Sequence, residues 1–379
     1  MFPPHRLFVH PASLDLTHLR TRALAERQSL IRADDILVSP DAPAPQIDAA
    51  RKAAQAILAA RARGAAVILM YGAHLLRNGA ALILTEMMRR GWVTHLATNG
   101  AGSIHDWEFA WLGKSCEGVE DNVATGSFGA WEETGRNIHL AILAGGLRGD
   151  GYGAALGRFI AENGCTLPTL DELRAALTTP DETAPAAAEL LLAMQRHGLA
   201  AGRHTIEHRW PHASLFAQAF FHGIPLTVHP GIGYDIVSCH PLFNGAAIGR
   251  AAAEDFRRFC ASVDNLDGGV VLSIGSAIMA PQVFEKSLSC VHNLRLQNER
   301  PLVQGHSIFV VDLQDGGGWD WTQGEPPKNN AAYYLRFCKS FSRMGGIMHY
   351  AQSDNLAFAH ALLHALRAGA TNAKEEMVR

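Results

Sequence analysis

Short, unbroken apolar runs separated by helix-forming stretches constrain this chain more than any other feature. AAVILMY (65–71) carries no charge and lies between Gly64 and Gly72. A run of that length and continuity is what a strand buried on both faces requires. GAALILTEMMRRG comes next, with apolar positions at helical spacing and arginines in its last turn before Gly91, where the helix dipole favours cations. WVTHLAT (92–98) is the next strand. Strand, helix and strand within roughly 35 residues form a βαβ unit, and parallel neighbours joined this way need helices on their faces.

The alternation returns later in the chain. QIDAARKAAQAILAARARG, from Gln46, predicts an Ala-rich helix ahead of the first strand, stopped by Gly64. Helix 213–222, strand IPLTV (224–228), helix 249–263, strand GGVVLSI (268–274), helix 281–291 and strand HSIFVVDL (306–313) extend the same sheet. The Ala- and Gly-rich middle, about 135 to 200, contains TTPDETAPAAAE and reads as cover helices plus an exposed connection. The expected fold class is α/β, with a doubly wound, mostly parallel sheet. Residues 1–44 read as an N-terminal arm, 45–370 as a single α/β domain and 371–379 as a C-terminal tail. No internal repeat is present.

Composition narrows the function classes. Hydrophobic residues make up 48% and charged residues 18%, enough apolar material for a sizeable core and too little charge for wholesale disorder. A net charge of −3 gives no electrostatic footprint for a nucleic-acid backbone. The six cysteines, Cys116, Cys165, Cys239, Cys260, Cys290 and Cys338, form no C-x-x-C pair and fit scattered reduced thiols. MFPPHRLFVHPAS lacks the apolar region of a secretory signal, and AAVILMYGAHLL breaks off well before membrane-spanning length. The expectation is a soluble, cytoplasmic protein without membrane or nucleic-acid partners.

Ligands of open α/β sheets sit beyond the carboxyl ends of the strands, so the residues just past each strand carry the functional signal. The first strand leads into Gly72-Ala73-His74, and the second into Asn99-Gly100-Ala101-Gly102-Ser103 and on to Asp106. IPLTV leads into His229-Pro230-Gly231-Ile232-Gly233-Tyr234-Asp235 and then Ser238-Cys239-His240-Pro241. GGVVLSI ends at Gly275-Ser276-Ala277, and HSIFVVDL at Gln314-Asp315-Gly316-Gly317-Gly318-Trp319-Asp320. Glycine beside a small polar or titratable residue recurs in all of them. Such backbones can approach a phosphate-bearing ligand closely, although glycine also serves plain tight turns. No G-x-G-x-x-G stands after the first strand, so an ordinary Rossmann dinucleotide site is not supported.

Two other constellations compete. His204-Thr205-Ile206-Glu207-His208 fits H-x-x-E-H, which on a helix would set two imidazoles one turn apart with Glu207 as base of a zinc hydrolase. Arg209-Trp210-Pro211 comes at once after it, and in a chain with 19 histidines a surface or interface cluster is the plainer reading, with no metal. Cys239-His240 are adjacent on an extended chain and point apart, so they form no nucleophile–base dyad.

Taken together, AVILMYGAHLLRNG, ATNGAGSIHDWEFAW, PHASLFAQAFFHGIPLTVHPGIGYDIVSCHPLFNG and DGGVVLSIGSAIMAP resemble the deoxyhypusine synthase family, closest to its divergent bacterial members. The resemblance runs as scattered motifs from about Val67 to Lys339. It implies an NAD-binding doubly wound fold, a homotetramer of paired dimers with active sites at subunit interfaces, and oxidation of spermidine with aminobutyl transfer through an imine on a lysine. Carried over by motif, Thr98, Asn99, Gly100, Ala101 and Gly102 line the dinucleotide, and Asp106 closes that loop. Gly72, Gly275 and Ser276 join them as cofactor-binding positions at the strand ends. Asp235 and His240 match the family's Asp and His, and Asp315 and Asp320 its amine-holding carboxylates.

Departures alter the implied chemistry. The imine-forming lysine falls on Leu335, with Lys339 one helical turn later, and leucine offers no deprotonable amine. Met279 stands where the family's histidine is expected, and His229 or Pro230 replaces an aspartate. Hydride transfer needs cofactor and positioning more than a protein nucleophile. The leading expectation is therefore an NAD-binding protein acting on a small amine, with His240 as acid–base group, Asp235 beside it and Lys339 the candidate relocated lysine. Borohydride trapping with spermidine would label Lys339 or Lys286 if an imine forms. A non-catalytic NAD(H)-binding or interaction protein is the alternative.

Overall fold

The five apolar runs become strands, a sixth joins them, and the computed structural model, which describes residues 13–178 and 181–378, assembles them into one sheet. In chain order the principal elements are α1 (Asp48–Ala62), β1 (Val67–Tyr71), α2 (Ala81–Arg89), β2 (His95–Asn99), α3 (Gly100–Leu112), α4 (Glu132–Gly146), α5 (Tyr152–Ala161), α6 (Leu215–His222), β3 (Leu226–His229), α7 (Gly245–Asp264), β4 (Val270–Ile274), α8 (Met279–Gln297), β5 (Ser307–Asp312), α9 (Arg336–Ser342), β6 (Ile347–Gln352) and α10 (Asn355–Val378). Every neighbouring pair is parallel, and the order across the sheet is β3-β2-β1-β4-β5-β6. This is the doubly wound α/β architecture expected from the runs.

Strand alternation explains why both faces are covered. Val67, Leu69 and Tyr71 enter one core with Ile57 of α1, Ile104 of α3, Phe159 of α5 and Phe358 of α10. Ile68 and Met70, one residue out of phase, enter the other with Phe259 of α7, Phe284 of α8 and Phe341 of α9. A two-residue period sends successive side chains to opposite faces, so a strand packed on both sides has no position for a charge. The helices between β2 and β3 add to the first core through Ile138, Leu143, Leu156 and Leu190.

Outside this frame, Ile31–Arg32 pairs antiparallel with Lys114–Ser115, which ties the segment before residue 45 to the end of α3. Residues 1–12 of the expected arm lie outside the described residues. α10 continues through Val378, past residue 371 where a tail was expected to begin. Gly164–Leu167 and Gly202–Thr205 form a second small antiparallel pair. Among the described residues no helix is long and apolar enough to cross a membrane.

Candidate functional site

Strand order locates the place to look. From β1 the sheet grows through β2 and β3 in one direction and through β4, β5 and β6 in the other. The crevice beyond the carboxyl ends of β1 and β4 is therefore the topological switch point, where open α/β sheets bind ligands. Gly72 and Gly275 meet there. The Gly72 N–H donates to the Ile274 carbonyl at 3.1 Å, and a Cβ on Gly72 would overlap the Gly275 carbonyl oxygen. Gly275 has φ +60°, its N–H donates to Val311 at 3.0 Å, and a Cβ on it would strike the Asn355 amide. Asn355 opens α10, is 7% exposed, and its Oδ1 has no partner among the described residues. Ser276 is buried, and its hydroxyl accepts from the Ala280 N–H at 3.3 Å.

The close approach gives a direct prediction. Gly72→Ala pushes one strand-end backbone against another, with no flexible atom to yield, and is expected to cost about 3 kcal/mol, the upper end of overpacking penalties. Urea unfolding measures it. An unchanged midpoint would mean that the two chain ends are free to separate.

Beyond β2 the expected loop is a helix. Asn99 caps α3, its Oδ1 accepting from the Gly102 N–H at 3.0 Å. Glycine disfavours helix, but here it is demanded by packing. A Cβ on Gly102 would strike the Thr98 hydroxyl, itself donating to the Tyr71 carbonyl at 3.0 Å, and a Cβ on Gly100 would strike the Asp235 carboxylate. Ala101 stays half-exposed on that first turn. Asp235, 4% exposed, accepts from the Gly231 N–H at 2.7 Å and lies on the N-terminal turn of α3. The helix dipole favours a carboxylate there. Burial nonetheless pushes its pKa up to about 6.

Asp106 does not face this edge. It is fully buried two turns into α3, where it accepts from the Ser214 hydroxyl and from the Leu215 N–H at 2.6 Å, so both oxygens cap α6. Burial raises it to about 7. The expected role in closing a cofactor loop is replaced by a structural one, because α3 carries the side chain into the core.

His240 and Asp235 turn to different helices. Between them runs the short 3₁₀ turn Ile236–Cys239. The His240 ring packs on Gly135 of α4, accepts at Nδ1 from the Leu242 N–H at 3.0 Å, and meets Glu132 Oε2 through Nε2 at 3.2 Å. An Nδ1 that accepts leaves the proton on Nε2, which donates to Glu132. The His240 contact is the first cause holding Glu132 down at about 2, with the Thr21 hydroxyl adding to it. Glu132, Arg136, His197 and His240 line a separate cavity of about 260 Å³.

The remaining candidates disperse. Lys339 lies half-buried on α9 with Nζ 3.6 Å from the centre of the Tyr333 ring, and Lys286 pairs with Glu285 on the surface of α8. Asp315 is exposed and accepts from the Gly317 N–H at 2.8 Å, and Asp320 is exposed and caps Thr322 at 3.1 Å. Both carboxylates are engaged in their own turns. His204 is on a strand, and His208 is 5% exposed between the Trp107 and Phe159 rings. The H-x-x-E-H spacing thus sits on no helix, and the described residues contain no group of three or more metal-ligating side chains.

No family model matches this chain, and no curated protein does. Solved structures resemble it weakly. The ternary complex of AgrE with ornithine and NAD⁺ is 13% identical over 85% of this chain and 33% of its own, with a TM-score of 0.42. The apo structure of ArgZ, an arginine dihydrolase from the ornithine–ammonia cycle in cyanobacteria, is 13% identical over 84% of this chain and 32% of its own, with a TM-score of 0.38. A LOR/SDH-type protein from Methanococcus maripaludis S2 is 12% identical over 88% of this chain and 74% of its own, with a TM-score of 0.39. This chain spans about a third of the length of AgrE and ArgZ.

One set of polar residues at the edge carries no recognisable motif. Register pairs Asn99 with His229 and Ala97 with Thr227. His95, Thr227 and His229 then line the α7 side of the sheet, where Ser262 Oγ lies 2.7 Å from His95 Nδ1, His95 Nε2 3.0 Å from Thr227 Oγ1, and Thr227 Oγ1 3.2 Å from His229 Nε2. Their only trace in the sequence is His95 inside the apolar run WVTHLAT and the alternating Thr227 and His229 of LTVH.

Proposed function

We propose that this chain is a dinucleotide-binding protein that takes NAD across the carboxyl edge and acts on a small amine-type substrate near the end of β3. The observation that carries this reading is the strand order β3-β2-β1-β4-β5-β6, the arrangement in which α/β proteins bind dinucleotides at the reversal point. Ser276, Asn99, Ala101 and the unpartnered Asn355 oxygen are the groups of this chain that would hold the cofactor. Bound NAD would supply the oxidising equivalent that no side chain here can. Asp235, packed against the first turn of α3, sets the charge that a phosphate meets. Ionised, it repels the phosphate, and protonated, it can donate to it. NAD⁺ affinity is therefore expected to rise from pH 7 to pH 5.5, and Asp235→Asn to remove that dependence.

A second reading has its own support. The space beside Gly72, Gly100, Gly102 and Gly275 is filled by the Gly275 carbonyl, Asp235, Thr98 and Asn355, so these glycines serve the packing of the protein on itself. On that reading the scaffold persists as an interaction protein without turnover.

Calorimetry with NAD⁺ and NADH on the purified protein separates the two. Binding, with about 2.7 kcal/mol of added stability at a hundred times the Kd, supports the first reading and justifies an amine-oxidation screen. Absence of binding at millimolar cofactor removes it in favour of the second.

A further inference from the structure

We propose that His229 is the proton-exchanging group of the carboxyl edge, and that the buried chain Thr227–His95–Ser262 sets which of its ring nitrogens carries the proton. The inference rests on the reading of that edge as a ligand site. It does not depend on which ligand binds.

The geometry is a continuous hydrogen-bonded line. His229 closes β3 at the edge, half-buried, while His95 and Thr227 are 0% and 1% exposed. Ser262 lies near the far end of α7 and is again half-buried. The line therefore runs from the ligand edge, along the sheet under α7, to the opposite side of the domain. Phe259 holds both rings edge-on, at 5.3 Å from His95 and 5.4 Å from His229. Within the line, His229 uses only Nε2. Its Nδ1 has no partner among the described residues, and the residue is half-buried at the end of β3.

Thr227 Oγ1 has only the two rings as partners among the described residues, so its one proton must go to one of them, and this restricts the line to two ordered states. A neutral imidazole has one donor and one acceptor, and a hydroxyl offers one proton. In the first state Ser262 donates to His95 Nδ1, His95 Nε2–H donates to Thr227, and Thr227 donates to His229 Nε2. His229 then presents Nδ1–H to the edge. In the second state every donor is reversed, and His229 presents a bare Nδ1. The two rings thus carry opposite tautomers in each state. Burial supports neutrality, holding His95 at about 3 and His229 at about 4, and among the described residues no carboxylate pairs with either ring.

Conversion between the states moves one proton through the line. A substrate proton arrives at His229 Nδ1, and the Nε2 proton passes to Thr227 Oγ1. The Thr227 proton passes to His95 Nε2, the His95 Nδ1 proton to Ser262 Oγ, and the Ser262 proton to water. No ring is left charged and no co-reactant beyond water is consumed. A group that exchanges protons without holding charge suits a buried site, where an imidazolium would be costly.

The test is nitrogen NMR of histidine-labelled full-length protein, without cofactor, because protonated and bare ring nitrogens resonate far apart. At pH 7 the expected result is two neutral rings, His95 and His229, in opposite tautomers. Thr227→Ser, which keeps the hydroxyl, should preserve the opposition, and Thr227→Val should abolish it. Matching tautomers, with Thr227 accepting from both rings, would overturn the proposal, as would a doubly protonated His229. Where an oxidisable amine is found, Thr227→Val should lower kcat by about 10²-fold at unchanged KM, the usual scale of general acid–base catalysis, with Thr227→Ser restoring it. An unchanged kcat would overturn the catalytic part. Failure of NAD binding leaves the NMR result readable, so the two readings fail separately.

Discussion

Below pH 6 the protein is expected to lose about 3 kcal/mol of stability for each further pH unit, far more than a surface-charge effect would give. Five imidazoles are held neutral by burial: His95 at about 3, and His105, His139, His208 and His229 at about 4. In the unfolded chain each titrates near its usual value of about 6.5. As pH falls through that value the unfolded state gains protons that the folded state refuses, so stability falls. Three carboxyls oppose the trend. Burial raises Asp106 and Asp255 to about 7 and Asp235 to about 6. These keep protons in the folded state that unfolded carboxylates release above about 4, so their stabilisation falls as pH rises towards 7. Five against three leaves at least about two protons taken up on unfolding, each worth about 1.4 kcal/mol per pH unit, and His197, His292, His306, His349 and His360, which burial also lowers, act in the same direction. A domain of ordinary stability, about 5–15 kcal/mol, exhausts its margin within a few units. Urea midpoints at pH 7, 6 and 5 measure the slope. His208→Phe offers the sharpest control, since neither nitrogen of His208 has a hydrogen-bond partner among the described residues between two aromatic rings. It should remove one proton from the slope and raise stability. A flat profile would show that the rings are hydrated in solution.

The strands are legible because a continuous apolar run has few alternatives once its length is that of a strand and glycines bound it. β6, Ile347–Gln352, gives no such signal. It lies at the edge of the sheet, and its sequence IMHYAQ mixes His, Tyr and Gln into a strand in which only Met348 is fully buried. α3 reads as a loop because Gly100 and Gly102 oppose helix in isolation. The reason for Gly102 is the Thr98 side chain that the helical turn brings against it, and the reason for Gly100 is Asp235, more than a hundred residues away. Asp106 departs from its expected role for the same reason, since a residue on a loop can face a ligand while one two turns into a buried helix cannot. Of the candidate residues that the fold does gather, Gly72, Gly275 and Gly100 follow strand ends directly, and Asp235 is returned to the edge by its bond from the Gly231 N–H. Asp315 and Asp320 are instead held in their own turns, and Lys339 lies well past its strand on α9. The His95–Thr227–His229 line requires register, which a sequence sets only through its whole hydrophobic pattern.

Arg27→Met is expected to destabilise the fold by about 3–5 kcal/mol, because it leaves a buried carboxylate without its counter-charge. Arg27, 7% exposed, reaches Glu108 with two parallel bonds of 2.8 and 2.7 Å, and Glu108 is 0% exposed on α3. The hydroxyls of Ser115 at 2.5 Å and Thr134 at 2.9 Å complete the carboxylate's shell. Two hydroxyls satisfy lone pairs but cannot neutralise a charge in a low dielectric. The double variant Arg27→Met with Glu108→Leu should recover most of the loss, since removing both charges also removes the desolvation cost. If the single variant costs less than about 1 kcal/mol, the pair behaves like an exposed one, and water reaches Glu108. The helix that the pair shares with the site carries the consequence further. α3 presents its first turn to Asp235 and its third to Arg27, so a rigid helix transmits any tilt at one end to the other. Weakened NAD⁺ binding in Arg27→Met, restored in the double variant, would show that the segment before residue 45 holds the carboxyl edge in shape through α3.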